Sequence, residues 1–400
     1  MYNSRLDGLT EYPFQRLNAL LAGTSPRVPT DQQIAMSIGE PQHAPPEMIR
    51  DLLVGDLSAW GKYPPTPGNA NFRAAAAAWL TKRYALPANM IDGEKHVMPV
   101  SGTREALFMA AQLCVPPDKN GAQPTVLMPN PFYQVYFGAA VMAGAEPVFV
   151  PATRETGFQP DYATVDPRHL ARAAMAYICT PANPQGTVAS VARLKQMIAL
   201  AREHDFVVIS DECYSEIYDG APPAGALEAC AALGGDLKNV LVFNSLSKRS
   251  SVPGLRSGFV AGDADLIAKL NKLRSHGGAV QPIPVLDTAA ALWRDEAHVE
   301  ANRALYRAKF DDAAQIFGKQ FEFYRPGGGF FLWLNVGDGE RAATALWREA
   351  GVKVLPGGYL ARPDAAGINP GAPYIRVALV HDRARTADAL QRMRQVLETL

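Results

Sequence analysis

Lys248 lies in the run NSLSKRSSVPGLRSGFV (residues 244–260), with Ser245 and Ser247 before it and Arg256 beyond a proline-glycine turn. A lysine attacks a carbonyl carbon only when neutral, which takes desolvation or nearby positive charge. Hydroxyls and a guanidinium together make a cradle for a phosphate dianion. Taken alone, the run reads better as a polar loop with a surface lysine. Four other stretches carry comparable groups. In ISDECYSEI (209–217) the apolar FVVIS delivers Asp211, with Tyr214 after it. A carboxylate ending a buried strand must be paired or hydrogen-bonded, either as a helix N-cap or holding a proton on a heterocyclic nitrogen. SGTREAL (101–107) opens a helix with Gly102 and Thr103 at a start that suits an anion, although Ser-Gly-Thr is also a common cap. CTPANPQG (179–186) places Asn183 in ordinary turn chemistry. Arg376 lies inside the apolar YIRVALV (374–380) and needs an anionic partner, internal or incoming.

These groups must be positioned by regular elements, and from about residue 97 a rhythm supplies them. TVLMPNP, EPVFVPA, MAYICTPANP, FVVISDE, NVLVFNSLS and SGFVAG read as strands closing on polar or turn residues. TREALFMAAQLC and VARLKQMIALAREHD between them are apolar at three- and four-residue spacing. The alternation predicts an α/β domain around a mostly parallel central sheet flanked by helices, with ligands outside the carboxyl ends of the strands. The alanine block AAAAAWL (74–80) reads as a buried helix face. The charged DEAHVEANRALYRAKFDDAAQIFGKQ reads as a long helix leading to a second domain that holds GGGFFLWLNV, a helix around TALWREA and the strand YIRVALV. APPAGALEACAALGGD (221–236) and ARPDAAGINPGAP (361–373) read as surface connections. The division expected is an N-terminal arm with part of a small domain (1–45), a large domain (46–292) and a small α+β domain (293–400).

Composition excludes several classes. Lysine and arginine total 39, as do aspartate and glutamate, which argues against nucleic acid or anionic membrane as a partner. The start has no basic cap before an apolar core, and no apolar run reaches a membrane span. Four scattered cysteines without a CxxC suit reduced thiols, so a cytoplasmic location is expected; Cys213 reads as packing. Seven histidines without HExxH argue against zinc, so no metal is expected. GxSxG and GxGxxG are both missing.

Together, SGT, the aromatic in NPFYQVY, NPQG, DECY, SLSK with GLRSG, and YIRVALV resemble, in order and spacing, the class I/II (fold type I) aminotransferases, over nearly the whole chain. The resemblance implies pyridoxal 5'-phosphate as cofactor and a homodimer with shared active sites. It implies that Lys248 is the lysine bonded to the cofactor and that Asp211 keeps the ring nitrogen protonated. It further implies that Asn183 and Tyr214 hydrogen-bond the ring oxygen and that Tyr133 stacks on the ring. By the same resemblance Gly102, Thr103, Ser245, Ser247 and Arg256 would form the phosphate cup, joined by Tyr63 of WGKYPPTPG from the neighbouring subunit, and Gly39 of SIGEP, Asn183 and Arg376 would meet the substrate carboxylate. The GGGF turn (327–330) reads either as bringing Phe330 near the substrate or as a plain tight turn. Two departures stand out: the common Asn-Pro-Thr-Gly turn is Asn-Pro-Gln-Gly, and the stacking residue is tyrosine rather than tryptophan. RLDGLTEYPFQRLNALLAG, SIGEPQH, WGKYPPTPG and GGGFFLWL are most similar to bacterial N-succinyldiaminopimelate aminotransferases, which implies glutamate as donor. Aminotransferases for aspartate, aromatic amino acids or kynurenine, a fold type I C–S β-lyase and a cofactor-binding regulator are the alternatives. Arg5, Arg16, Arg27 and Arg274 are candidates for a distal carboxylate, and Arg249 has no assigned side.

Overall fold

The computed structural model describes residues 1–400. Seven strands form the main sheet: β1 (Val97–Val100), β2 (Thr125–Asn130), β3 (Glu146–Pro151), β4 (Ala173–Cys179), β5 (Val207–Asp211), β6 (Val240–Ser245) and β7 (Gly258–Gly262). Their order is β1-β7-β6-β5-β4-β2-β3. β7 runs antiparallel to both neighbours, whereas the pairs among β2 to β6 are parallel. Every residue of β2, β4 and β6 is buried, as a sheet covered on both faces requires. One face packs on the helices Ala70–Arg83, Val191–Glu203 and Ile283–Arg294. The other packs on Thr103–Cys114, Gln134–Ala143 and Ala264–His276.

The alanine block behaves as its pattern predicts. Asn69 caps its helix by accepting from Phe72 N, and Ala75, Ala76, Ala77, Trp79 and Leu80 are buried. The stretch 221–236 departs from the surface loop expected of it, because Ala226–Ala232 forms a helix with four buried residues. Its small side chains let it lie close to the sheet, and the buried Glu212 carboxylate accepts from Ala226 N at 2.8 Å, satisfying a helix-start donor.

A second core surrounds a three-stranded antiparallel sheet ordered Leu355–Pro356, Tyr374–Ala378, Phe331–Asn335. The helices Ala297–Phe317 and Arg383–Leu397 cover it, and Gly339–Ala345 continues through Leu346–Ala350 as a wider π turn. Ile34–Ala35 pairs in parallel with Val352–Lys353, which ties the N-terminal segment into this core. No helix is long and apolar enough to cross a membrane. Register aligns the ends of β4 and β5, where Cys179 lies opposite Asp211, and β6 runs two residues further, past Phe243 opposite Asp211. The turns holding Asn183, Tyr214 and Lys248 therefore leave the sheet along one edge.

Candidate active site

At that edge a cavity of about 480 Å³ opens, lined by residues of both cores. Its floor begins where β1 runs into the helix Thr103–Cys114. Gly102 sits there at φ +89°, a region side chains disfavour. A Cβ at Gly102 would lie 1.9 Å from Arg256 Nη2, so only glycine lets that guanidinium reach the helix start. Arg256 is itself left-handed, at φ +54°, and its Nη1 donates to the Pro253 carbonyl at 2.8 Å. Ser245 Oγ accepts from Ser247 N at 3.1 Å, and both serines line the cavity. A guanidinium, hydroxyls and a helix start converge as a phosphate dianion requires.

Lys248 follows in the short helix Leu246–Arg249, and its Nζ donates to the Gly39 carbonyl at 2.6 Å. Burial pushes its pKa down from the ordinary lysine value to about 8; Cys213 and Glu40 oppose the shift, while Arg376 and Arg256 add to it. Asp211 is 4% exposed. Its Oδ2 accepts from Tyr136 Oη at 2.6 Å and its Oδ1 from Cys213 N at 3.2 Å. Burial raises its pKa above the usual carboxylate range, against those bonds and the Lys248 charge. Neither hydrogen-bond donor to this carboxylate is a cation, so it suits a protonated ring nitrogen placed against it. The cradle and the carboxylate thus match the two ends of pyridoxal phosphate.

Arg376 is 5% exposed, and burial lowers its pKa to about 10. It donates to Asn183 Oδ1 at 2.9 Å and the Ser37 carbonyl at 2.8 Å, while its Nε has no partner. The internal carboxylate that could have satisfied it is not among those bonds, which leaves the site open to an incoming one. Phe331 lies under its guanidinium, 4.3 Å from centroid to Cζ. Gly39 lies against the same ring, where a Cβ would come within 2.6 Å of Phe331 Cζ. Tyr214 is held edge-on by Phe330 and Phe331 at 5.4 and 5.8 Å.

Lys248, Asp211, Asn183, Tyr214, Tyr133, Thr103, Ser245, Ser247, Arg256, Gly39 and Arg376 all line this cavity. Three expected residues stand apart from the lining. Gly102 lies behind it, under Arg256. Tyr63 is fully exposed. Phe330 is fully buried, packed on Tyr214 and Tyr306, while its neighbour Phe331 faces the cavity. The four candidate arginines also lie elsewhere: Arg274 is buried against the Pro99 and Ala279 carbonyls, Arg27 pairs with Glu349, Arg5 bonds the Met142 carbonyl and Arg16 covers Tyr359. Arg249 turns from the cavity towards the Leu292 carbonyl, Glu296 and the Trp293 ring.

Arg104, Tyr12 and Tyr136 escaped sequence reasoning. Arg104 lines the cavity and donates from Nε to Tyr133 Oη at 2.8 Å and from Nη2 to Tyr12 Oη at 3.4 Å. It directly follows Thr103, so the SGTRE start held a signal for it. Tyr136 stands three residues after Tyr133, on the next turn of the same helix face.

The residues from 31 to 393 match the family model described as aminotransferase class I and II. The chain is 32% identical to the 4-dedimethylamino-4-oxo-anhydrotetracycline transaminase OxyQ of Streptomyces rimosus, over 91% of this chain and 93% of that one. It is 31% identical to the LL-diaminopimelate aminotransferase of Moorella thermoacetica, over 98% and 97%. Among solved structures, an aminotransferase from Neisseria meningitidis superposes with a TM-score of 0.93 at 40% identity, covering 98% of this chain and 99% of that one. With a fold and a cofactor cradle of this kind, the chain belongs to the class I and II aminotransferases, the pyridoxal phosphate-dependent enzymes of fold type I.

Proposed function

We propose that the enzyme moves an amino group from glutamate to N-succinyl-2-amino-6-oxopimelate, the reaction of a succinyldiaminopimelate transaminase. One observation carries this reading. Apart from Arg256 of the phosphate cradle, two guanidinium groups line the cavity, Arg376 deep and Arg104 at the hydroxyls of Tyr133 and Tyr12. A substrate with an anionic group at each end suits that arrangement, because each guanidinium can take a carboxylate in parallel hydrogen bonds. The LL-diaminopimelate aminotransferases among the relatives favour a second reading, in which the unblocked diaminopimelate is the substrate.

Bound pyridoxal phosphate supplies the electron sink that makes the α-proton of an amino acid removable. Gly102, Thr103, Ser245, Ser247 and Arg256 hold its phosphate, with Tyr63 of the partner subunit completing the cup in a homodimer. Asp211 holds a proton at the ring nitrogen, Asn183 and Tyr214 bond the ring oxygen, and Tyr133 covers the ring. Gly39, Asn183 and Arg376 orient the α-carboxylate. Lys248, whose lowered pKa keeps a share of it neutral near pH 8, would take the α-proton as a general base. Phe330 acts from behind, holding Tyr214 and Phe331.

A half-reaction screen tests the substrate. Glutamate, N-succinyl-LL-diaminopimelate, LL-diaminopimelate, aspartate and aromatic amino acids are each mixed with the holoenzyme, and the loss of its visible absorbance is timed. Glutamate and the succinylated amino acid should react fastest. A faster reaction with unblocked diaminopimelate moves the assignment to the second reading, and pyruvate with ammonia from a cysteine conjugate would mark a lyase. Sedimentation should give about twice the chain mass, and a monomer holding tightly bound cofactor would remove the role given to Tyr63.

A further inference from the structure

Behind Lys248, a chain of polar side chains, Lys309 and Asn302 buried and His43 half-buried, crosses between the two cores. Lys309, on the helix Ala297–Phe317, is 1% exposed and has no carboxylate bonded to it. Its Nζ donates to the Leu379 carbonyl at 2.8 Å and meets His43 Nε2 at 2.7 Å. His43 Nδ1 lies 2.7 Å from Asn302 Oδ1, and Asn302 Nδ2 donates to the carbonyls of Lys248 and Arg249, each at 3.3 Å.

The ends of the chain fix its direction. Two carbonyls can only accept, so the Asn302 amide must turn its NH2 towards them and its oxygen towards His43. His43 then carries its proton on Nδ1 and offers a lone pair on Nε2, which Lys309 fills. The reverse arrangement would set the Asn302 oxygen against two carbonyl oxygens. Every link therefore donates the same way, from Lys309 to the backbone of Lys248. The carbonyls it reaches belong to the last turn of the helix Leu246–Arg249, where helical partners run out.

We propose that Lys309, His43 and Asn302 are positioning residues that fix where Lys248 stands relative to the substrate carboxylate site. The three segments they join are those that meet the reacting groups. Leu379 immediately follows the strand Tyr374–Ala378 that bears Arg376. His43 follows Gly39, whose carbonyl receives Lys248 Nζ. His43 also accepts at its own carbonyl from Ser251 Oγ at 3.0 Å, so the same loop holds the turn from both sides. Proton transfer tolerates little misplacement of the base, and a chain anchored in both cores ties the base to the carboxylate clamp.

The wild-type holoenzyme with ¹⁵N-labelled histidine gives the first test. His43 should be neutral at pH 7.5 with its proton on Nδ1; a proton on Nε2, or a charged ring, would overturn the chain. The second test uses Asn302→Asp, which keeps the acceptor for His43 but replaces the two donors with oxygen, and Lys309→Met, which removes the first donor. In both, amide hydrogen exchange across residues 246–251 should quicken by about tenfold. Wash-out of the α-deuterium of glutamate should slow by about tenfold, with KM within about twofold. Variants matching the wild type in amide exchange and wash-out would sink the proposal, as would a pure KM effect. The tautomer and the amide exchange do not depend on the amino donor, so they stand apart from the substrate reading. Should a variant fail to fold, the wild-type tautomer still decides.

Discussion

Tyr136 donates a 2.6 Å hydrogen bond to Asp211 Oδ2 from a ring stacked on Tyr177, with centroids 4.2 Å apart and planes 11° apart. The Tyr177 hydroxyl is fastened in turn to the Leu107 carbonyl at 2.7 Å. The carboxylate is thus oriented by a buried ring that has no freedom to turn away. Burial and Asp211 itself hold the Tyr136 hydroxyl protonated, its pKa well above that of a free phenol.

Tyr136→Phe should accordingly raise the Asp211 pKa further, because it deletes a bond that stabilises the ionised form. A hydrogen bond to a charged group is worth about 2 kcal/mol, which converts to a loss of pyridoxal phosphate affinity above tenfold if the carboxylate is what the ring nitrogen meets. Absorbance titration of the variant with cofactor measures it. Unchanged affinity would mean that the Cys213 amide holds Asp211 unaided.

Sequence reasoning reached the elements that show strong periodicity, and the strand ends that carry Asp211, Asn183 and Lys248. Asp211 was legible because an acidic residue closing FVVIS breaks an apolar run. Tyr136 and Arg104 were not, since a tyrosine in a helix reads as core and an arginine on a helix start reads as surface. Their roles depend on which way a helix face turns relative to the sheet edge. The helix Ala226–Ala232 was hidden by small residues and flanking glycines, and its start is completed by Glu212, distant in sequence. The orientation of Arg249 required knowing that Ile283–Arg294 packs behind the lysine turn.

Arg104→Gln separates the two guanidinium sites. Its bonds in the free site go only to phenols, so the substitution leaves no carboxylate stranded. With Arg104 meeting the distal carboxylate, KM for glutamate should rise about 10-fold to 100-fold while methionine stays within about twofold. Equal losses for both amino acids would indicate that Arg104 only steadies Tyr133.

Lys248 carries a stability cost that depends on pH. In the cofactor-free protein its pKa falls from the ordinary 10.5 to about 8, chiefly through burial. Between those values the unfolded chain binds more protons than the folded one, so this group adds stability as pH rises through the window. The cost is complete below about 8 and gone above about 10.5. Lys248→Met should therefore melt higher than the wild type at pH 7, with the difference closing by about pH 10.5. Thermal scans from pH 6 to 10.5 follow the gap; a gap independent of pH would show that packing rather than charge sets it.

Gly102→Ala strikes the cradle from beneath. The added methyl would stand 1.9 Å from Arg256 Nη2 at a φ of +89°, so the guanidinium must leave or the helix start must shift. Either movement separates Arg256 from the helix N–H groups, and the phosphate can no longer use both. Pyridoxal phosphate affinity should fall about tenfold or more, the scale of one charge-assisted contact. Arg256→Ala should cost about the same, and the double variant should add little, because both remove one interaction. Additive losses would show that Gly102 and Arg256 serve the phosphate separately.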